Sequence, residues 1–323
     1  MRAILPAERE SPIPRLGNLP DPAPGRGEVL VAVKAAGLNH ADLMQLRGQY
    51  PPPPDESQVP GLECSGIVVE AEKGSPWQPG ARVMALVGGG AHATCAAIPA
   101  GQLMPLPDNL SFVEGAAIAE AGLTAWTNLV AEGGVQAGET VLITGATGGM
   151  GSFAVQLARE LGGRVLAAGR NRERLELLRG LGVEEICLEG GNLARQVHEA
   201  TGGRGADLVL DFTGGSEFNS HLGALAERGR LVLIGLMSGR KAEVELGLAL
   251  SRRLRVIGSV LRPRPREEKA RLTADFAAFA LPRLRDGRLR PVVDRTFPLE
   301  RAAEAYKALE RGGVFGKIIL TME

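Results

Sequence analysis

The sequence predicts an α/β protein in which a doubly wound parallel sheet is combined with a second, β-rich domain. From about residue 111 to residue 261, short apolar strands alternate with amphipathic helices, which is typical of a parallel sheet covered on both faces. From residue 1 to about residue 107, short β-like runs are broken by proline and glycine, which favours a barrel-like β domain. A chain of 323 residues is long enough for two such domains.

The composition narrows the possible partners and the cellular setting. Lys+Arg and Asp+Glu each number 37, so net charge gives no reason to expect nucleic acid or an anionic membrane as partner. The three cysteines are far apart and form no Cys-x-x-Cys pair, which argues against a disulfide framework and a zinc knuckle. The first residues carry charges early, and no apolar run is long enough to span a bilayer. We therefore expect a cytoplasmic protein.

The individual elements follow from local patterns. In the first zone the clearest strands are EVLVAVKAAG, GLECSGIVVEA and ARVMALVGG. In the middle zone six largely apolar segments are predicted as parallel strands, namely TVLIT, RVLAAG, EEICL, DLVLDF, RLVLIG and LRVIGSV. Segments such as SFAVQLAREL and RERLELLRGL between them have helical periodicity. The last zone contains a helix around EEKARLTADFAAFALPRL and a closing strand GKIILTM, which we expect to return to the first domain.

The glycine-rich turn between TVLIT and the next helix carries the strongest functional signal. Gly145, Gly148 and Gly151 form a G-x-x-G-x-x-G pattern, with Gly149 and Met150 inside it. A turn without side chains admits a pyrophosphate, and the free N–H groups and dipole of the helix start favour its negative charge. A glycine turn that binds nothing is the alternative. The flanking strand and helix favour dinucleotide binding.

The same letters, TGATGGMG, also match the T-G-x-x-x-G-x-G turn of short-chain dehydrogenases. Those enzymes need a Tyr-x-x-x-Lys pair. Here Tyr50 is followed four positions on by Pro54, and Tyr306 by Glu310. The short-chain interpretation therefore fails because its catalytic acid is missing.

The residues after RVLAAG indicate which dinucleotide is bound. An acidic residue at this strand end would bind the ribose diol of NAD, whereas an arginine can grip the 2′-phosphate of NADP. This chain has Gly169 followed by Arg170, with Arg174 nearby, and Glu173 is the only carboxylate close in sequence. We interpret Arg172 as a solvated residue at a helix start. The pattern predicts NADPH over NADH.

Ligands of a parallel sheet lie outside the carboxyl ends of its strands. The turns that follow LVLDF and LVLIG should therefore face the cofactor. This geometry nominates Thr213, Gly214, Gly235, Leu236 and Met237 as further cofactor contacts.

With these segments in view, the chain resembles the zinc-independent quinone oxidoreductases, of the zeta-crystallin type, in the medium-chain dehydrogenase/reductase superfamily. The resemblance covers nearly the whole chain and includes AAGLNHADLMQLRGQYPPPP, VPGLECSGIVVEA, IAEAGLTAWTNL, GATGGMGSFAVQLA and the closing GKIIL. It implies a GroES-like catalytic domain over residues 1–118 and 288–323 and a Rossmann cofactor-binding domain over residues 119–287.

The resemblance also bears on metal binding. Zinc-dependent relatives place a cysteine and a histidine where this chain has Asn39, in GLNHAD, and Leu62, in GLE. An amide and an aliphatic side chain do not make a tetrahedral zinc site, which needs thiolate and imidazole ligands. His40 lacks partners at suitable spacing. We therefore expect no zinc, which disfavours alcohol oxidation and favours an acceptor that takes hydride readily.

The family likeness implies a set of site residues. Asn39, Asp42 and Tyr50 would line the catalytic site, although Asp42 could instead cap a helix and Tyr50 could simply pack on the proline run. Backbone groups of Val260, Leu261 and Arg262 would meet the nicotinamide amide, Thr124 would lie by the nicotinamide-side phosphate or ribose, and Phe315 and Lys317 would close over the cleft. Glu189 stands where relatives often carry tyrosine or histidine near the adenosine phosphate, which leaves more of that role to Arg170.

These expectations combine into one functional hypothesis. NADPH would deliver hydride to a small-molecule quinone or enone, whose conjugation spreads the incoming charge. The alternatives are a 2-alkenal or enoyl-thioester reductase, which uses the same chemistry, and an NADPH-binding protein with little turnover. The resemblance further suggests a homodimer in which LRVIGSV pairs with its copy, since an open apolar edge strand invites pairing.

Overall fold

The computed structural model describes residues 1–6 and 13–322. The chain divides into two compact units. The first unit consists of Met1–Leu123 and Leu261–Glu323, and the second consists of Thr124–Val260.

The strands, in chain order, are β1 (Arg2–Ile4), β2 (Leu16–Asn18), β3 (Glu28–Gly37), β4 (Glu63–Ala71), β5 (Arg82–Leu86), β6 (Cys95–Pro99), β7 (Leu103–Pro105), β8 (Thr140–Ile143), β9 (Arg164–Gly169), β10 (Glu185–Leu188), β11 (Ala206–Asp211), β12 (Leu225–Leu233), β13 (Arg255–Gly258), β14 (Val293–Pro298) and β15 (Lys317–Thr321). The α-helices are α1 (His40–Leu46), α2 (Phe112–Gly115), α3 (Ala119–Trp126), α4 (Gly149–Glu160), α5 (Arg172–Leu177), α6 (Leu193–Ala200), α7 (Phe218–Gly223), α8 (Leu246–Ser251), α9 (Arg266–Arg285) and α10 (Ala302–Arg311). A π-helix, Thr127–Glu132, follows α3 directly.

The second unit, all of whose residues are described, is a doubly wound parallel sheet. Its six strands are all parallel and lie in the order β10-β9-β8-β11-β12-β13. Counted along the chain this is 3-2-1-4-5-6, the strand order of dinucleotide-binding folds. Every residue of β8 is buried, and three of its four residues, Val141, Leu142 and Ile143, are apolar, as expected of a parallel strand covered on both faces. The predicted fold class is confirmed here.

The first unit is built on a mainly antiparallel sheet. Its strands lie in the order β14-β15-β3-β4-β5-β7, and β6 pairs with β3 as well. The C-terminal strand returns to this sheet as the sequence predicts, since Ile319 of β15 lies opposite Gly37 of β3. Alternating residues of β3 point into the core, with Val29, Val31 and Val33 buried. The β-rich domain is therefore confirmed.

Helix α9 belongs to the first unit, so the second boundary lies at 260/261, whereas the sequence suggested 287/288. Two contacts fix α9 there. Lys269 lies on the buried face of α9, and its ammonium is 3.1 Å from a carboxylate oxygen of Glu56. Phe276 packs so tightly on Gly122 that a Cβ at position 122 would lie 2.3 Å from the Phe276 ring. The first boundary, suggested at 118/119, lies at 123/124 within α3. Among the described residues, no helix is long and apolar enough to cross a membrane.

Candidate functional site

The glycine turn of the second unit leads into a helix without a side-chain cap. Strand β8 ends at Ile143, Gly145 takes a left-handed φ of 55°, and α4 starts after Gly148. Helix α4 has neither a side-chain cap nor an acidic residue in its first turn, so its first N–H groups are left for a ligand. These features fit the pyrophosphate role that the sequence predicts for the turn.

Gly151 and Gly148 serve this turn in different ways. A Cβ at Gly151 would lie 2.6 Å from the Cα of Ala146, so a side chain there would push α4 away from the turn. A Cβ at Gly148 would meet nothing closer than 3.6 Å, which means that packing of the protein does not require glycine at this position. Gly148, Gly149 and Met150 are all half-buried.

The turn after β11 is held by one buried carboxylate. Asp211 Oδ1 accepts hydrogen bonds from the backbone N–H of Thr213 at 2.9 Å, its hydroxyl at 3.0 Å and the backbone N–H of Gly214 at 2.9 Å. His221 Nδ1 lies 3.1 Å from the other carboxylate oxygen, and both side chains are fully buried. Burial alone would raise the pKa of Asp211, but His221 and the two N–H donors outweigh it and lower that pKa. Asp211 therefore rigidifies the predicted cofactor-facing turn.

The next turn places apolar side chains in solvent. The backbone at Gly235 passes so close to Phe212 that a Cβ at position 235 would lie 2.4 Å from the Phe212 carbonyl oxygen. Leu236 and Met237 are 43% and 59% exposed, and Val260, just after β13, is 49% exposed. Exposed apolar residues at the carboxyl ends of parallel strands are consistent with the ligand contacts predicted for them.

The end of β9 carries the predicted adenosine residues. Arg170 is exposed and has no ion-pair partner within the described part of the chain. Arg172 instead lies 4.0 Å from Glu176, one turn along the same helix, as expected of a solvated helix start. The backbone N–H of Arg174 is bound by the capping side chain of Asn171 at 2.9 Å. Arg170 is thus a cation open to an anionic ligand.

Glu189 makes a contact that the sequence did not suggest. Its backbone N–H donates to the carbonyl of Gly169 at 2.9 Å, which continues the pairing of β10 with β9. Its carboxylate Oε1 accepts the N–H of Gly145 at 2.9 Å. The side chain therefore reaches from the end of β10 to the glycine turn.

In the first unit, Asn39 belongs to a buried polar network. Its Oδ1 accepts a hydrogen bond from the Lys317 ammonium at 2.5 Å, and its Nδ2 donates to Glu63 Oε1 at 3.1 Å. Lys317 also forms an ion pair with Glu63, whose other oxygen accepts the N–H of Glu120 at 2.9 Å. Lys317 is 4% exposed and Glu63 is fully buried. Asn39 stands where zinc-dependent relatives place a cysteine, and both its amide oxygen and its amide nitrogen are hydrogen-bonded to charged side chains.

Sheet order explains this meeting of residues 278 positions apart. Strands β15 and β4 both pair antiparallel with β3, and their first residues, Lys317 and Glu63, lie beside the end of β3 that leads to Asn39. Lys317 was expected to close over the cleft, but its side chain lies inside this network, because a buried ammonium needs a carboxylate partner. Phe315 is half-buried, and its backbone N–H donates to Asp294 at 3.0 Å.

Asp42 is engaged entirely with backbone. Its carboxylate accepts the N–H of Asn39 at 2.7 Å, at the start of α1, and the N–H of Gly61 at 3.1 Å. The side chain is 1% exposed, so its contacts favour the capping role that the sequence left open over contact with a substrate. Asp42 therefore fixes the loop that carries Asn39.

His92 supports the same loop from a second direction. Its Nε2 lies 3.2 Å from the carbonyl of Gly37 and its Nδ1 lies 2.7 Å from the hydroxyl of Tyr306. A carbonyl can only accept, so Nε2 carries the proton and Nδ1 accepts from the hydroxyl. Burial raises the pKa of Tyr306 well above its ordinary value, which keeps that hydroxyl a donor.

Tyr50 is positioned by a buried arginine. The Arg262 guanidinium lies 5.1 Å from the centre of the Tyr50 ring, and its Nη1 donates to the Tyr50 carbonyl at 3.1 Å. The other nitrogens of Arg262 donate to Gly88 O at 2.7 Å and Gln45 Oε1 at 2.6 Å. Burial raises the pKa of Tyr50, opposed by the charge of Arg262, so its hydroxyl stays protonated. The sequence pointed only to backbone groups of Arg262 and missed the role of its side chain.

Leu261 and Thr124 are two further residues that the sequence nominated. Leu261 is partly buried and is the first residue of the segment that returns to the first unit. Thr124 is buried beside the start of the π-helix, and its carbonyl accepts Asn128 Nδ2 at 2.7 Å. Wide helical turns of this kind often occur at functional sites.

The donor set of this site does not suit zinc. Across residues 1–6 and 13–322, no group of three or more His, Cys, Asp or Glu side chains could hold a metal ion. Leu62 is a core residue, and burial raises the pKa of the neighbouring Cys64 thiol to about 12, so it is not a thiolate ligand. Lys317 already supplies a cation beside Asn39 and Glu63.

Two family models match the chain. Residues 25–108 match the alcohol dehydrogenase GroES-like domain, and residues 149–277 match the zinc-binding dehydrogenase family. Quinone oxidoreductase-like protein 2 homolog of Nematostella vectensis is 30% identical over 92% of this chain and 82% of its own length.

Solved structures agree with the fold over the whole chain. Quinone oxidoreductase from Thermus thermophilus, which was also solved in complex with NADPH, is 37% identical with a TM-score of 0.85, covering 99% of this chain and 100% of its own. An NAD-dependent alcohol dehydrogenase is 32% identical with a TM-score of 0.88, covering 100% of both chains. Taken with the site, these likenesses show that the chain belongs to the medium-chain dehydrogenase/reductase superfamily as a relative of its quinone oxidoreductases.

Proposed function

We propose that this chain is an NADPH-dependent reductase that transfers hydride to a quinone or a related conjugated carbonyl without zinc. The observation that carries the proposal is the environment of Asn39. Both ends of its amide are hydrogen-bonded, one to Lys317 and the other to Glu63, so a metal-ligating group is replaced by an internally satisfied network. Such a site has no Lewis acid to polarise an alcohol or a simple carbonyl, which favours an acceptor that is already electron-poor.

When bound, the reduced nicotinamide supplies the hydride, and the protein contributes position and hydrogen bonding. We assign the donor role to Tyr50, because its hydroxyl is protonated and donates to no other described residue. Arg262 holds the Tyr50 backbone and lies over its ring, which limits the movement of the side chain. Asn39 and Asp42 act indirectly, because their hydrogen bonds hold the start of α1 in place.

NADPH is proposed over NADH because Arg170 is exposed and has no ion-pair partner among the described residues. A free guanidinium can form two charge-assisted hydrogen bonds with a 2′-phosphate. The complex of the Thermus thermophilus quinone oxidoreductase with NADPH supports this choice. Arg170→Ala should weaken NADPH about tenfold or more while NADH changes little. Arg172→Ala is the matched control, since Arg172 lies beside Glu176. An equal loss for both nucleotides in Arg170→Ala would remove Arg170 from the phosphate site.

The acceptor is tested by steady-state NADPH oxidation with ortho-quinones, para-quinones, 2-alkenals and enoyl-CoA measured side by side. We expect the highest kcat/KM with a quinone. Tyr50→Phe should lower that kcat/KM on the order of tenfold, while the Kd for NADPH stays unchanged. A preference for enoyl-CoA would replace the quinone assignment with a thioester reductase. Tight NADPH binding with no oxidation by any acceptor would favour a binding protein with little turnover.

We further propose that the protein forms a homodimer through β13. This strand is the edge of the parallel sheet, and Val256 on it is 51% exposed. Leu246 and Leu250 on the adjacent α8 are 76% and 83% exposed, which extends the apolar surface. An unpaired apolar edge of this kind is covered in stable proteins. Light scattering should give twice the chain mass, and Val256→Lys should give the single-chain mass.

A further inference from the structure

Glu189 spans the end of a neighbouring strand. In the order β10-β9-β8, its backbone is paired with Gly169 at the end of β9, whereas its carboxylate is bound to Gly145 after β8. The side chain therefore crosses the carboxyl end of β9. Both hydrogen bonds measure 2.9 Å.

Strand β9 is the second strand of this sheet in chain order, and the carboxyl end of that strand is the position at which dinucleotide-binding sheets recognise the adenosine ribose. An acid at that point normally comes from the strand itself. Here β9 ends at Gly169 and is followed by Arg170, and the only carboxylate bound to the glycine turn among the described residues is that of Glu189, just after the neighbouring strand β10. Glu189 lies 19 positions beyond Arg170 in the chain, and only the order of the strands brings its carboxylate to the glycine turn.

We propose that Glu189 is a specificity-determining residue, whose carboxylate binds the unphosphorylated adenosine ribose and opposes the selection of the 2′-phosphate by Arg170. The inference rests on the proposed dinucleotide site. It adds that this chain uses NADH as well as NADPH, and that it discriminates between them less than Arg170 alone would allow.

The two carboxylate oxygens have separate tasks. Oε1 is anchored by the N–H of Gly145, whereas Oε2 accepts no hydrogen bond from the described residues. Anchoring one oxygen fixes the direction of the other, which can accept hydrogen bonds from the ribose hydroxyls. The same fixed charge repels a phosphate dianion. In a water-like dielectric, such repulsion over a few ångströms changes affinity by about tenfold.

Glu189 and Arg170 are not bonded to each other, so neither neutralises the other. The exposed guanidinium is free to bind a phosphate, and the anchored carboxylate is free to bind a diol. A merely structural role for Glu189, pinning the glycine turn, would affect both nucleotides alike. The ratio of the two affinities therefore separates the roles.

The test measures Kd by titration calorimetry for NADPH, NADH, adenosine 2′,5′-bisphosphate and 5′-AMP. Glu189→Gln keeps an oxygen that can accept the Gly145 N–H and removes the charge. We expect it to tighten NADPH and the bisphosphate about tenfold relative to NADH and 5′-AMP. Glu199→Gln is the matched control, because it removes the same charge from the exposed far end of α6 and should leave the ratio unchanged.

The measured affinity ratios separate the role of Glu189 from nucleotide binding itself. A shifted ratio in Glu189→Gln with an unchanged ratio in Glu199→Gln supports the inference. Nucleotide binding with the same ratio in both variants overturns it and leaves the proposed reductase intact. No binding of any nucleotide by folded wild-type protein overturns both. Glu189→Ala, checked for folding by circular dichroism, should shift the ratio in the same direction, since it also lacks the charge.

Discussion

Replacing Lys317 with methionine should destabilise the first unit by about 3–4 kcal/mol. The ammonium of Lys317 is the only cation among the described residues that is bonded to the fully buried Glu63 carboxylate. Methionine fills much of the same volume but leaves that charge without a counter-ion. The amide of Asn39 and the N–H of Glu120 stay in place as donors to Glu63.

The magnitude follows from the cost of breaking a buried ion pair by removing one partner, which is typically about 3–5 kcal/mol. The remaining donors to Glu63 bring the expected value to the lower part of this range. A second change, Glu63→Gln, should recover most of the loss, because the pair is then neutral.

The assay is urea unfolding followed by the fluorescence of Trp77. The chain has two tryptophans, and Trp77 lies in the first unit with its indole N–H bonded to Ala100 O at 2.9 Å. A Trp126→Phe background removes the other signal, which comes from the second unit. Exposed Lys307→Met is the control and should change stability by less than about 0.5 kcal/mol. A loss below about 1 kcal/mol for Lys317→Met, or no recovery in the double variant, would refute the reasoning.

Three further results are expected. Because the pKa of Asp211 is lowered in the folded state, this residue stabilises the second unit above about pH 4, and the stabilisation is lost as the pH falls through that pKa. Asp211→Asn should therefore reduce the loss of stability at acid pH, measured by Trp126 fluorescence during unfolding, and an unchanged pH dependence would contradict this role of Asp211. Burial raises the pKa of Cys64 to about 12 and that of Cys187 to about 11, so an aromatic disulfide reagent should label at most the half-buried Cys95 in the native protein and three thiols in urea; rapid labelling of all three without urea would be inconsistent with the structure. Arg262→Met should lower kcat with a quinone while NADH and NADPH affinities are retained, and rates equal to wild type would show that Arg262 does not position Tyr50.

The fold could be predicted because its signals are local. Buried parallel strands such as β8 and β9 are apolar after their first residue, and the glycine turn lies where the strand ends and the helix begins. Strand β3 was predicted with the bounds that the structure gives it. The return of β15 to the first sheet followed from its position after the last helix. Helix α9 was harder to assign, because its unit depends on where Lys269 and Phe276 pack rather than on its own periodicity.

The site could be predicted only in part because its decisive contacts join distant positions. Asn39 was nominated from its motif, but the ammonium that binds it comes from the far end of the chain. Nothing in the local sequence of Arg262 indicates that its side chain is buried against the Tyr50 segment. Glu189 was noticed as a departure from relatives, yet its bond to Gly145 depends on strand order. Local patterns thus nominate site residues, whereas charge pairing across the sheet decides what each one does.

The most direct test of the central claim is a titration of the wild-type protein with NADPH, followed by addition of one equivalent of a para-quinone under anaerobic conditions. Binding should saturate at one nucleotide per chain, and the quinone should be reduced with matching loss of the reduced-nicotinamide absorbance, at the same rate after treatment with a zinc chelator. Failure of well-folded protein to bind NADPH, or activity that disappears with the chelator and returns with zinc, would contradict the account.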